Sequence, residues 1–130
     1  MKTSGSIVDT SVWIDFFKGI PSVRGFFEKL VARDKVFTAG PILFELLQGI
    51  KSSEEKDQVK EALLSMQYLE LTPRDWEGAA LLSKELRAKG FTIPMTDLLI
   101  AQIAIRNNLE IITFDLHFSQ IPRVTYRKPS

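Results

Sequence analysis

The sequence of 130 residues contains no cysteine and only one histidine, His117. The lack of cysteine excludes disulfide bonds and thiolate zinc sites, and it is consistent with a reducing compartment. A single histidine excludes the metal-free ribonuclease mechanism in which two histidines activate the 2′-hydroxyl as nucleophile. We interpret His117 itself as a loop residue without a catalytic role.

Long apolar runs and a strong net charge are also missing. The most apolar segment is interrupted by Pro94, Thr96, Asp97 and Gln102, so no membrane span is predicted. The first residues, MKTSGSIVDT, lack the apolar core of a signal peptide. Seventeen basic and 16 acidic side chains give a net charge of +1, which neither indicates nor excludes a nucleic-acid partner. We therefore expect a single domain over residues 1–130, located in the cytoplasm.

Short β-like runs alternate with helical patterns along the chain. This alternation predicts an α/β fold of three layers, α/β/α, with a mainly parallel sheet of four or five strands flanked by helices. The predicted strands are 6–9, 35–38, 68–71, 110–114 and 123–126. The predicted helices are 12–18, 21–33, 41–48, 52–66 and 73–89, with a last helix that begins near residue 96.

Apolar residues at helical spacing predict which side chains form the core. The last helix is apolar nearly all round and is expected to be buried. In the helices at 21–33 and 73–89, the side chains expected to pack inward are Phe26, Phe27, Leu30, Val31, Trp76, Ala79, Ala80, Leu82 and Leu86.

Four carboxylates occupy positions that a parallel sheet would bring together. Asp9 and Asp115 lie at the carboxyl ends of predicted strands, and Glu45 and Asp97 lie early in helices that follow such ends. Ligands of open α/β sheets bind beyond the carboxyl ends of the strands, so one crevice can collect all four. Neighbouring carboxylates repel each other unless some are protonated or a divalent cation neutralises them. Oxygen ligands without cysteine favour Mg²⁺ or Mn²⁺ over zinc, and such an ion supports phosphodiester hydrolysis.

Each acid also has a structural interpretation that remains open when it is considered alone. Asp9 can form an Asx turn before a helix, Asp97 can stabilise the first turn of its helix, and Asp115 can be a turn residue. Glu45 is the only charged residue in PILFELLQGI, and it would need a cation partner if it were buried.

Four motifs in this order resemble the PIN domain, and more narrowly the VapC toxins of toxin–antitoxin pairs. They are IVDTSVWIDFF, PILFELLQG, IPMTDLLIAQIA and IITFDLHF, and the resemblance extends from residue 7 to about residue 122. The resemblance implies a metal site with supporting hydroxyls. The metal-coordinating and catalytic residues that it implies are Asp9, Glu45, Asp97 and Asp115, and the supporting residues are Ser11 and Thr113.

The resemblance also implies a function, namely a Mg²⁺- or Mn²⁺-dependent endoribonuclease that is the toxin of a type II toxin–antitoxin module. Such a protein cleaves structured RNA, such as tRNA or rRNA, by metal-activated water and leaves 5′-phosphate and 3′-hydroxyl ends. The implied partners are a VapB-like antitoxin and a second copy of the chain. Some relatives carry a further acid just after the last aspartate, where this chain has Leu116-His117-Phe118. We therefore expect one tightly held ion.

Three other functions are alternatives to this one. Phosphatases of the haloacid-dehalogenase type carry a second aspartate two positions after the first, and this chain has Ser11 there. A non-catalytic PIN-like module that acts through its partner and a metal-dependent DNA nuclease both remain open.

Overall fold

Five parallel strands form one sheet in the computed structural model of the protein, which describes residues 2–130. The strands are β1 (Gly5–Val8), β2 (Val36–Ala39), β3 (Gln67–Leu69), β4 (Leu109–Ile112) and β5 (Thr125–Arg127). Their order across the sheet is β3-β2-β1-β4-β5. The chain thus moves from β1 to one edge of the sheet and then crosses to β4 on the other side. The order of the strands reverses between β1 and β4.

Helices connect the strands and flank the sheet. They are α1 (Thr10–Phe17), α2 (Pro21–Arg33), α3 (Gly40–Gln48), α4 (Ser53–Leu64), α5 (Pro73–Ala88) and α6 (Met95–Asn107), followed by a 3₁₀ helix (Leu116–Gln120). The predicted three-layer α/β/α fold is confirmed, with five strands. None of the helices described here combines the length and apolar character needed to cross a membrane.

The core lies around the central strands and α6. All four residues of β1 are buried, as expected of a strand covered on both faces. On α6, Ile100 and Ile103 are fully buried, so the predicted burial of this helix is confirmed.

Three residues predicted to pack inward are instead exposed, namely Val31, Trp76 and Ala80. Val31 directly follows Leu30, the last residue of the buried stripe of α2. The buried positions of α5 are Asp75, Ala79, Leu82 and Leu86, and Trp76 and Ala80 each follow one of them. A step of one residue turns a side chain by about 100° around the helix, which is enough to move it out of the core.

Two boundaries near Asp9 and Asp115 differ from the prediction. Strand β1 ends at Val8 because the carbonyl of Asp9 already accepts hydrogen bonds from the N–H groups of Val12 and Trp13, so α1 begins at Thr10. The 3₁₀ helix was not predicted. It begins where the carboxylate of Asp115 accepts a hydrogen bond of 2.9 Å from the N–H of His117.

An ion pair between a half-buried arginine and a buried carboxylate links α5 to α6. Arg106 donates from Nε to Asp75 Oδ1 at 2.6 Å and from Nη2 to Asp75 Oδ2 at 3.0 Å. The same carboxylate, which is fully buried, also accepts from the N–H and the hydroxyl of Thr72 at the start of α5. Burial alone would raise the pKa of Asp75, but the hydrogen bonds from Arg106 and Thr72 lower it. This pair therefore helps to position α6, the helix that carries Asp97.

Candidate metal centre

The candidate site lies at the carboxyl ends of β1 and β4, where the strand order reverses. The last residues of these strands, Val8 and Ile112, are paired across the sheet. Asp9 and Thr113 follow them directly, and both are buried. The site is therefore where an open parallel sheet binds its ligands.

Two hydroxyl groups hold the carboxylate of Asp9. Its Oδ2 atom accepts hydrogen bonds from Thr113 Oγ1 at 2.8 Å and from Ser11 Oγ at 3.0 Å. Asp9 occupies the N-cap position of α1, but its side chain makes no capping hydrogen bond, because its Oδ2 atom is directed at the two hydroxyls instead. Burial raises the pKa of Asp9, and the hydrogen bonds from Thr113 and Ser11 offset part of that increase.

The same two hydroxyls also accept hydrogen bonds from the backbone that follows β4. Ser11 Oγ accepts from the N–H of Phe114 at 3.1 Å, and Thr113 Oγ1 accepts from the N–H of Asp115 at 2.9 Å. They therefore connect the start of α1 to the segment that carries Asp115. That these residues support catalysis stays a prediction.

Glu45 is half-buried on α3 and is held by two further hydroxyls. Its Oε1 accepts from Thr10 Oγ1 at 2.9 Å, and its Oε2 accepts from Thr96 Oγ1 at 3.2 Å. Neither threonine was predicted as a site residue. The signal was present in the sequence, because Thr10 follows Asp9 and Thr96 precedes Asp97.

Asp97 lies in the first turn of α6 and is nearly buried, with 6% of its surface exposed. Burial raises the pKa of its carboxyl to about 6, and the negative charges of Asp9, Asp115 and Glu45 contribute to this increase. An ionised carboxylate in this position is therefore destabilised unless a positive charge is close to it.

The four predicted acids meet around Asp97 in two overlapping groups. Oxygen atoms of Asp9, Glu45 and Asp97 lie within 4.8 Å of one another. Ligand atoms of Asp97, Asp115 and His117 form a second group with the same spacing. No lysine or arginine in residues 2–130 forms an ion pair with any of these acids. Crowded carboxylates without a basic partner are a donor set that suits a hard divalent cation.

His117 lies at this site, contrary to its interpretation as a loop residue. It belongs to the 3₁₀ helix, and its Nδ1 atom is 3.1 Å from Asp115 Oδ1 and 3.4 Å from Asp97 Oδ2. One indication that residue 117 lies at the site was available from the resemblance. Some proteins that the chain resembles carry a further acid just after the last aspartate, where this chain has Leu116-His117-Phe118.

Known proteins match the chain over nearly its whole length. Residues 6–124 match the PIN domain. A VapC ribonuclease of Mycobacterium bovis is 26% identical over 124 residues, which cover 92% of each chain. Solved structures also share the fold, and two of them are described here. The VapBC2 complex of Rickettsia felis, bound to a promoter DNA fragment, contains a chain with a TM-score of 0.83 and 24% identity, with 96% of this chain and 98% of that chain covered. The DNA-bound VapBC complex of Salmonella typhimurium gives a TM-score of 0.81 at 19% identity, covering 97% and 98%.

These matches agree with the five-strand parallel fold and with the resemblance noted from the four motifs. The PIN match includes all four acids of the candidate site, from Asp9 to Asp115. On this evidence the chain belongs to the PIN domain family.

Proposed function

We propose that the protein is a Mg²⁺- or Mn²⁺-dependent endoribonuclease and the toxin of a type II toxin–antitoxin module. The observation that carries this proposal is the meeting of Asp9, Glu45, Asp97 and Asp115 without a lysine or arginine partner among the described residues. The relative from Mycobacterium bovis is named a ribonuclease, which is in keeping with the proposal. We propose structured RNA, such as tRNA or rRNA, as the substrate.

The four acids would hold the cation. When bound, an ion of this kind polarises a phosphoryl oxygen and lowers the pKa of a coordinated water. Both donors to Asp9 use Oδ2, so Oδ1 has no side-chain hydrogen bond within residues 2–130 and is available to a ligand. Hydrogen bonds from hydroxyls favour the ionised form of a carboxylate and fix its orientation. Ser11 and Thr113 do this for Asp9, and Thr10 and Thr96 do it for Glu45.

We also propose a VapB-like antitoxin and a second copy of the chain as partners. The two solved structures described above, which have the same fold, are VapBC complexes. Several large apolar side chains of this protein are more than half exposed, and a partner surface would cover them. They are Phe44, Leu64, Leu81, Met95 and Leu116.

The proposed function is tested by sequencing RNA ends after expression of the wild type, Asp9→Asn and Asp15→Asn. Asp15 lies on the same helix as Asp9 and in neither group of potential ligands, so its variant is the matched control. We expect new 5′-phosphate ends with the wild type and with Asp15→Asn, and none with Asp9→Asn. Identical RNA ends in all three samples would contradict the proposal.

The same variants separate the two alternatives. Growth arrest that persists with Asp9→Asn, without new RNA ends, would indicate a binding module instead of a nuclease. Cleavage of a DNA substrate but not of the matched RNA, with Mg²⁺ or Mn²⁺ present, would indicate a DNA nuclease.

A further inference from the structure

A groove extends along α5 to the first turn of α6. Its volume is about 540 Å³, and it is lined on α5 by residues between Trp76 and Arg87 and on its other side by Ile93, Met95 and Leu98. Trp76 does not pack in the core as predicted but is 48% exposed and lines this groove. The groove therefore presents a large aromatic side chain that the fold itself leaves uncovered.

The groove meets the metal centre at the first turn of α6. Met95 and Leu98 line the groove, and the two residues between them belong to the metal centre. Thr96 Oγ1 donates to Glu45 Oε2 at 3.2 Å, and Asp97 is one of the potential metal ligands. A polymer with one phosphate at the metal centre would therefore reach the groove within a single helical turn.

Two cations lie in the groove without an acidic partner. Lys84 and Arg87 are exposed, and neither forms an ion pair within residues 2–130. No aspartate or glutamate of those residues lines the groove. The dipole of α5 favours a cation such as Arg87 in its last turn, but it does not account for Lys84 or for the exposed Trp76. Unpaired cations beside an aromatic side chain suit a polyanion that carries flat rings.

RNA fits this groove better than a second copy of the chain does. Phosphate groups pair with lysine and arginine, and bases stack on exposed aromatic rings. A two-fold interface over the groove would instead place the same surface of two copies face to face. It would bury Lys84 and Arg87 of both copies where no acid of residues 2–130 lines the groove, and unpaired buried cations are costly.

We propose that this groove binds an unpaired stretch of the RNA substrate beside the scissile phosphate, with a base stacked on Trp76 and phosphates held by Lys84 and Arg87. This inference rests on the ribonuclease function proposed above and adds the surface that holds the substrate. It gives an acidic metal centre, in a chain with a net charge of only +1, a local basic surface for a polyanion.

The test measures binding of a short single-stranded RNA of mixed sequence to the full chain in EDTA, which prevents metal-dependent cleavage. Anisotropy of the fluorescein-labelled RNA at several salt concentrations gives the affinity and its salt dependence. Quenching of tryptophan fluorescence by the unlabelled RNA reports stacking on Trp76, because the chain has two tryptophans and the other, Trp13, is only 1% exposed. Sedimentation velocity gives the oligomeric state of each variant.

The first comparison removes the charges. Lys84→Gln/Arg87→Gln takes two cations from the groove, and Lys56→Gln/Lys60→Gln takes two exposed lysines from α4, outside the groove. Each neutralised phosphate of a single strand contributes about 0.7 to the slope of log affinity against log salt concentration. We expect the groove variant to bind RNA more weakly, with a slope smaller by about 1.4, and the α4 variant to match the wild type.

The second comparison removes the aromatic ring. Trp76→Ala should lower the affinity for RNA by about 5- to 150-fold, the contribution of stacking on one aromatic side chain, without changing the salt slope. It should also abolish most of the RNA-dependent quenching. Trp76→Phe should retain most of the affinity, because a ring is still present. Tyr126→Ala removes an exposed aromatic residue from β5 and should bind RNA as the wild type does.

Three binding results would each overturn the inference. They are no RNA binding by the wild type at low salt, an unchanged affinity and slope in Lys84→Gln/Arg87→Gln, and an unchanged affinity in Trp76→Ala. A dimeric wild type whose two groove variants are monomers would also overturn it, because the groove would then be a face between copies.

Cleavage of the same RNA with Mg²⁺ or Mn²⁺ separates this inference from the proposed function. If the wild type and the groove variants cleave RNA equally well, the proposed function stands and only the groove is wrong. If the groove binds RNA as expected but neither ion supports cleavage, the groove stands and the proposed function is wrong.

Discussion

Asp97 is the residue on which the candidate site depends most, because both groups of potential ligands include it. Burial, together with the charges of Asp9 and Asp115, raises its pKa from 3.8 to about 6. The ionised carboxylate therefore destabilises the metal-free fold, and a bound cation would remove that cost.

The first prediction concerns stability without metal. Because the pKa of Asp97 is higher in the folded chain than in the unfolded one, the folded state loses stability as pH rises from about 4 to above 6. An asparagine avoids this loss. We expect Asp97→Asn to be more stable than the wild type at pH 7 by about 1–3 kcal/mol, and to lose the advantage near pH 4.

Urea unfolding in the presence of EDTA at both pH values measures this difference. Asp15→Asn, which changes an acid outside the two groups, should show no comparable gain. Equal stability of the wild type and Asp97→Asn at pH 7 would show that the carboxylate is not destabilised by its surroundings.

The second prediction concerns the hydroxyl of Thr113. Thr113→Val keeps the shape of the side chain but removes the 2.8 Å hydrogen bond to Asp9 and the acceptor for the N–H of Asp115. Groups that orient metal ligands typically contribute 10- to 100-fold to metal affinity or activity, so a loss of about that size is expected in both. Calorimetry with Mn²⁺ and an RNA cleavage assay measure it.

The control for Thr113→Val is Thr92→Val, which makes the same change at an exposed residue before α6. If both variants behave like the wild type, the hydroxyl of Thr113 does not position Asp9 for metal binding.

At the scale of the elements, the ion pair between Asp75 and Arg106 links α5 to α6. Arg106→Met would leave the buried carboxylate of Asp75 without its cation, and we expect a cost of about 1–3 kcal/mol, less than for a fully buried pair because Arg106 is one third exposed and Thr72 still donates to Asp75. The pKa of Asp75 is lowered in the folded state, so the contribution of the pair is present above its unfolded value of 3.8 and is lost as pH falls through the folded pKa.

Urea unfolding of Arg106→Met and of Arg74→Met measures this cost. Arg74 is exposed near the start of α5 and forms no ion pair within the described chain, so its variant controls for the loss of an arginine. A loss below 1 kcal/mol for Arg106→Met, or a loss that does not shrink in acid, would contradict the proposed role of the pair.

The elements were predictable from the sequence where local signals decide their structure. Proline at the start of α2, α3 and α5 and the capping box at Thr72 mark helix starts that the sequence shows directly. The 3₁₀ helix was missed although its start is local, since the N–H of His117 donates to the carboxylate of Asp115 two residues earlier, as the turn interpretation of Asp115 allows. The exposure of Trp76 was missed because a step of one residue turns a side chain by about 100° around the helix, and the apolar pattern of α5 does not show which of two neighbouring positions faces the core.

At the scale of the whole molecule, the positions of Asp9 and Asp115, and of Glu45 on the helix after β2, followed from one rule of parallel sheets, that strand ends meet at one edge. Asp97 lies on α6, which follows α5 and not a strand, so its place at the site depends on how α6 packs.

The hydrogen-bond partners of these acids could not be predicted from the same rule. Thr10 and Thr96 are next to acids in the sequence, but which oxygen each hydroxyl contacts depends on how α1, α3 and α6 pack. His117 was missed for the same reason, since its side chain reaches Asp97 across 20 residues of sequence.

Net charge says little about the substrate, and the fold is shared by proteins in different complexes. The proposed ribonuclease function therefore depends on whether the crevice beyond β1 and β4 binds a divalent cation that RNA cleavage needs. The extent of the domain, residues 1–130, and its cytoplasmic location stay predictions.

The most direct measurement is RNA cleavage by purified wild-type protein that has been treated with EDTA and then given Mg²⁺ or Mn²⁺, with Asp97→Asn in parallel. We predict no cleavage in EDTA, recovery of cleavage with 5′-phosphate products when metal is returned to the wild type, and no recovery with Asp97→Asn. Cleavage that survives EDTA, or that Asp97→Asn supports as well as the wild type, would contradict a metal-dependent nuclease built on these carboxylates.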